Sequence, residues 1–121
     1  MHELIKAMKA LSDETRLRIL HVLLERECCV CEVMQSLDIS QTRASRNLGI
    51  LQGAGFLKAR RDSFWTVYSV DWQATNRYTA SLAQLLNDFP ISDEIVEKDG
   101  ERLKYAKRTG PGCKPNQLKR K

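Results

Sequence analysis

The sequence predicts a mainly α fold of about five helices with one β-hairpin, in winged helix-turn-helix order. Three observations predict it. Apolar residues recur at helical spacing from Leu4 to Leu51. Two short helices are joined by a tight Asp38-Ile39-Ser40 connection, and the second carries a polar, basic face. Directly after it come two β-prone segments, Leu57 to Arg61 and Trp65 to Val70, which fit a hairpin wing.

Each element has its own local reason. Leu4, Ile5, Met8 and Leu11 give a short amphipathic helix over residues 3 to 11, closed by Ser12-Asp13, two N-cap residues for the next helix. From Glu14 to about Arg26 the row Leu17, Leu20 and Leu24, widened by Ile19 and Leu23, marks a helix central to the core. Val30, Val33, Met34 and Leu37 mark a third helix. Ser40 can cap a fourth, from Gln41 to about Gly53, with Ala44, Leu48 and Leu51 inward. Gly53-Ala54-Gly55 stops it, and Asp62-Ser63 can turn the hairpin. Asp71 opens a last helix, expected from about Gln73 to Asp88, with Tyr78, Leu82, Leu85 and Leu86 on one side. Residues 92 to 108 read as loose helical turns and Thr109 to Lys121 as a disordered tail, so the expected organisation is a domain over residues 1–90 and a basic, flexible tail over 91–121.

A chain of 121 residues and 13.9 kDa holds one hydrophobic core. No apolar run approaches the roughly 18 residues of a spanning helix, and Met1 to Leu11 lacks the apolar stretch of a secretory signal, so a cytoplasmic protein with no membrane partner is expected. The net charge of +5 is uneven, with +6 on residues 97 to 121 and −1 on residues 1 to 96. Within the body, residues 40 to 61 hold Arg43, Arg46, Lys58, Arg60 and Arg61 with no acid. That stretch and the tail are the candidates for a polyanionic partner.

On the fourth helix, Ser40, Gln41, Thr42, Arg43, Ser45 and Arg46 could read DNA, because Arg pairs with guanine edges, Gln with adenine, and Ser or Thr with phosphates or bases. Arg60 and Arg61 would anchor the wing. Of four cysteines, Cys28, Cys29 and Cys31 lie within four residues, too close to bridge one another without strain. A lone cysteine is usually a small core hydrophobe. On a regular helix, however, Cys29 sits about 200° from Cys31, so one buried stripe cannot hold all three, and ligation is the better reading. His21, mid-helix beside the apolar row, reads as structural.

The run Ser40-Gln41-Thr42-Arg43-Ala44-Ser45-Arg46-Asn47-Leu48-Gly49-Ile50-Leu51-Gln52-Gly53-Ala54-Gly55-Phe56-Leu57 resembles the recognition helix of the ArsR/SmtB repressors. Ala10 to Leu20 is similar to that family's opening, and Glu27-Cys28-Cys29-Val30-Cys31-Glu32 to its arsenic-sensing Cys-Val-Cys box. The resemblance covers roughly residues 4 to 88. It implies a homodimeric repressor that releases double-stranded operator DNA when a thiophilic ion binds. Asn47 stands where the family often has His, Gly49 where a longer polar residue is usual, Ser63-Phe64 where Gly-Arg is common, and Met34 where a third cysteine is frequent. As(III), or similar Sb(III), takes three thiolates and is the best-matched inducer, with no organic cofactor. Its third thiolate would be Cys28 or Cys113, beside Cys29 and Cys31.

Catalysis is not expected: no nucleophile with a His base, phosphate loop or recognisable carboxylate pair stands out. Three alternatives remain open. One is a redox-sensing repressor using the same cysteines, and a second a thiol-disulfide enzyme using Cys29 and Cys31. The third, a protein-binding winged helix, would lack the basic face at Arg43 and Arg46. Dimerisation is expected through the first and last helices, whose apolar sides the monomer cannot cover.

Overall fold

The computed structural model describes residues 1–109. Their order is α1 (His2–Leu11), α2 (Glu14–Glu25), β1 (Cys28–Cys29), α3 (Val30–Leu37), α4 (Gln41–Ala54), β2 (Leu57–Asp62), β3 (Trp65–Val70), α5 (Thr79–Asp88) and α6 (Glu94–Leu103). The predicted mainly helical winged helix-turn-helix is present, with two additions: a two-residue strand before α3 and a sixth helix.

Capping fixes the helix starts. Asp13 accepts the Arg16 N–H at 3.0 Å, and Ser40 accepts the Arg43 N–H at 3.2 Å. Asp38, left-handed at φ 58°, ends α3 and reverses the chain toward α4. Gly55 ends α4 at φ 102°, where a Cβ would also meet the Cβ of Asn76 at 3.2 Å. Ile19 and Leu20 from α2, Leu48 and Leu51 from α4, and Phe56 are fully buried together. Cutting Leu48 to Ala would cost about 2–5 kcal/mol.

The sheet has the order β1-β3-β2, antiparallel throughout. Ser63, at φ 57°, sits in the turn between β2 and β3.

Two stretches differ from expectation. The last helix of the predicted domain starts at Thr79 rather than near Gln73. Asp71 accepts the Gln73 N–H at 3.1 Å, and Asn76 accepts the Tyr78 N–H at 3.0 Å while donating to the carbonyls of Glu3 and Ala54. These side-chain bonds take the backbone groups a helix would need. Beyond Pro90, where loose turns were expected, Asp93 caps a regular helix by accepting the Ile95 N–H at 2.8 Å. This α6 packs on α2 and α3 through polar groups: Ser36 Oγ donates to the Asp99 carbonyl at 2.8 Å and Arg102 Nε to the Ser36 carbonyl at 2.7 Å.

Candidate nucleic-acid interface and thiol site

Thr42, Arg43, Ser45 and Arg46 stand exposed on α4, as does Ser40 at its cap, while Gln41 is half-buried. Arg43 is not wholly available, since one guanidinium nitrogen donates to Thr15 Oγ1 at 2.6 Å. Asn47 faces inward. It accepts from Arg16 at 3.0 Å and donates to the Arg43 carbonyl at 2.9 Å, while Arg16 also donates to the Ala10 carbonyl at 2.6 Å. Asn47 therefore fastens the recognition helix to α2 and the end of α1, a role invisible in the sequence. Among the described residues nothing lies within 4 Å of a Cβ placed on Gly49, so that glycine permits no close approach between them.

On the wing, Arg60 and Arg61 are both exposed. Arg60 pairs with Glu27 and lies 3.8 Å from Asp62. At the tip Phe64 is exposed and meets Trp65 edge-on, ring centroids 6.2 Å apart.

The cysteines depart from the helical-wheel expectation. Cys28 and Cys29 form β1, opposite Tyr68 and Val67 of β3, so their side chains point to opposite faces. Cys28 joins the main core. Cys29, extended at φ −85° and ψ 173°, is the residue before α3, not part of it, and shares a separate buried cluster with Cys31 and Trp65. The sulfurs of Cys29 and Cys31 are 2.9 Å apart. Because α3 starts only at Val30, after Cys29, the two sulfurs meet with the helix intact, the later start rather than an unwound turn. Cys113 lies outside the described residues.

Charge surrounds Cys28 and Cys29 without ionising them. Burial pushes the Cys28 thiol up to about 12 against the opposing pull of Arg26, and the Cys29 thiol up to about 11. Glu32 accepts the Cys29 N–H at 2.9 Å and pairs with Arg26 at 2.8 Å, whose other arm donates to the carbonyls of Leu103 and Ala106, each at 3.1 Å. Sequence reasoning missed Arg26 and Glu32. The one available signal was Glu32 at the third position after Cys29, capping-box spacing with Cys in place of Ser. Among the described residues no group of three or more His, Cys, Asp or Glu side chains is placed to hold a metal ion. The pair Cys29 and Cys31 therefore supplies two sulfurs, and a trigonal ion would need a third. His21 is structural: its Nε2 accepts the Ile91 N–H at 2.9 Å, and burial lowers its pKa.

Residues 13–59 match the family described as "Bacterial regulatory protein, arsR family". The cadmium resistance transcriptional regulatory protein CadC homolog of Staphylococcus aureus is 41% identical over 70 residues, 57% of this chain and 58% of that protein. The arsenic resistance transcriptional regulator ArsR1 of Pseudomonas putida is 44% identical over 96 residues, 78% of this chain and 73% of that protein. The chain thus spans little more than half of the first relative's length and about three-quarters of the second's. Among solved structures, the homodimeric winged helix-turn-helix DNA-binding domain Mb0332 of Mycobacterium bovis superposes with a TM-score of 0.61 at 28% identity, covering 72% of this chain and 77% of that one.

Proposed function

Because the chain belongs to the arsR family of bacterial regulatory proteins, we propose that it is a transcriptional repressor that binds operator DNA as a homodimer and releases it when As(III) or Sb(III) binds its cysteines. As a member of that family it is a DNA-binding regulator and not an enzyme. It works in the cytoplasm, beside its DNA, and no helix among the described residues is long and apolar enough to cross a membrane.

One observation carries the DNA reading. The exposed side of α4, with Thr42, Arg43, Ser45 and Arg46, stands without acidic residues beside a wing presenting Arg60 and Arg61. That is the arrangement for base contacts from a helix and phosphate contacts from a hairpin. A protein-binding winged helix would be expected to lack a basic face of this kind. The dimer is supported by apolar side chains left exposed, Ile5 and Met8 on α1, Leu85 on α5 and Phe89 just after it.

For the inducer, the support is the adjacency of the Cys29 and Cys31 sulfurs. Arsenous acid condenses with reduced thiols, each As–OH leaving as water with one thiol proton while an As–S bond forms. The buried Cys29 thiol, protonated at neutral pH, suits that exchange. It does not suit peroxide sensing, which needs a thiolate. The third sulfur is Cys113 or Cys28; Cys28 faces the main core, away from the pair. Titrating the reduced, DNA-bound protein with As(III), Sb(III), Cd(II), Zn(II) and peroxide tests the reading. Release at the lowest concentrations by As(III) or Sb(III) supports it, and release by peroxide alone contradicts it.

A further inference from the structure

Cys29 and Cys31 are 0% exposed, so any inducer needs a door. Cys31 lies on α3, Trp65 of the wing packs against the pair, and residues 104–109, which follow α6, touch both of these neighbours through Arg108 on Trp65 and Glu32 and through Lys107 on Gln35. The first two are tied into the core and the sheet. The third is held mostly by polar contacts, with Ala106 against the core and Thr109 buried, while its Tyr105 is 81% exposed. Gln35 and Lys107 exchange two hydrogen bonds, the Gln35 amide donating to the Lys107 carbonyl at 2.7 Å and the Lys107 N–H donating back at 3.2 Å. Arg108 stacks over the Trp65 ring at 5.5 Å, lies 3.9 Å from Glu32 and pairs with Asp62 on the wing at 2.8 Å.

The Asp62 contact links this segment to the DNA-binding surface. Arg108 and Arg60 address the same carboxylate oxygen of Asp62, at 2.8 Å and 3.8 Å. While Arg108 holds that oxygen, Arg60 has only a long contact with it and is paired with Glu27 alone. If Arg108 leaves, Asp62 is free to draw in Arg60 and compete with a DNA phosphate for its charge.

We propose that residues 104–109 form a latch over the Cys29 and Cys31 site, and that Arg108, by occupying Asp62, keeps a second acid off Arg60, whose exposed pair with Glu27 then remains the one contact a DNA phosphate has to displace. This rests on the regulatory reading above and adds the route by which thiol occupancy reaches the wing. An ion at Cys29 and Cys31, with a third ligand to seat, lifts the segment. Arg108 then leaves Asp62, Arg60 turns to that carboxylate, and affinity for DNA falls.

The test uses the full chain, with Arg108→Ala, Asp62→Asn and both together. Alkylation of Cys29 by N-ethylmaleimide, followed by peptide mass spectrometry, should run severalfold faster in Arg108→Ala than in wild type; an unchanged rate overturns the latch. Operator binding should weaken about fivefold or more in Arg108→Ala, whereas the double variant should bind like Asp62→Asn. If Arg108→Ala costs as much in the Asp62→Asn background as in wild type, Arg108 acts on DNA directly and the route through Asp62 is wrong. Should Arg108→Ala not fold, Arg108→Lys, which keeps the charge but loses the planar fork, serves for both readouts. A wild-type chain that bound no operator would overturn the function proposed above, whereas unchanged labelling beside intact operator binding would overturn the latch alone.

Discussion

Arg18 and Asp99 meet in a two-pronged ion pair in the seam between α2 and α6, both hydrogen bonds 2.8 Å long. Their side chains are 9% and 2% exposed, and Arg18 also donates to the Leu37 carbonyl at the end of α3 at 3.0 Å. A buried pair of this kind is costly to break, because the surviving charge has no water to turn to. Asp99→Ala should therefore lower stability in urea unfolding by about 3–5 kcal/mol. A loss under about 1 kcal/mol, the size usual for exposed pairs, would mean that α6 is not held as described.

Recognition should divide between helix and wing. Arg46 is exposed on α4, whereas Arg61 is exposed on β2. Arg46→Ala should cost about 1–3 kcal/mol on the specific site and little on unrelated duplexes, whereas Arg61→Ala should weaken all sequences alike and reduce the salt slope by about one. The bound sequence should be a near-palindrome with half-sites about 34 Å apart or a multiple of that. Equal binding of wild type and Arg46→Ala to every duplex would remove Arg46 from base contact.

The helices from α1 to α4 and the wing were legible because each is written locally, in Asp13 and Ser40 as caps, Gly55 as a stop, and apolar rows of helical period. What escaped is non-local or too short for periodicity. β1 has two residues and exists only because β3 pairs with it. The α5 start is displaced by Asn76 reaching back to Glu3 and Ala54. α6 buries Asp99 where a core-facing helix would normally show an apolar residue, and its partner Arg18 is 81 positions away. At the site, the cysteines and the exposed α4 residues could be named from sequence. The pairings Arg16 with Asn47 and Arg108 with Asp62 could not, since 31 and 46 positions separate them.

The thiols give a pH signature. With Cys28 held near 12 and Cys29 near 11, both are protonated across the neutral range. As(III) brings hydroxides that carry those protons away as water, whereas Cd(II) must expel them into solvent. Between pH 6 and 8, on the order of a hundredfold in proton activity, the As(III) midpoint for operator release should stay nearly flat and Cd(II) binding should strengthen as pH rises. Calorimetry in buffers of differing ionisation enthalpy counts the protons. Substantial net proton uptake with As(III) would show that the ligands are ionised before binding.

His21 should make stability fall in mild acid. Its folded pKa is lowered by burial, so the unfolded chain binds the proton more readily. The contribution is intact above about pH 6.5, is lost as pH falls from there toward the folded value, and is constant below it. His21→Gln, which can still accept the Ile91 N–H, should flatten urea stability against pH in that window. An unchanged slope would assign the acid sensitivity to other groups.

In the proposed mechanism Cys29 and Cys31 sense what α4 and the wing then act upon. Fluorescence anisotropy of an operator duplex, titrated with As(III) in the presence of wild type, Cys29→Ser or Cys31→Ser under reducing conditions, separates sensing from DNA binding. Operator affinities should lie within about twofold of one another before As(III) is added, wild type should release DNA, and neither variant should do so at concentrations that empty the wild-type complex. Release of both variants at wild-type As(III) concentrations would place the sensing site elsewhere.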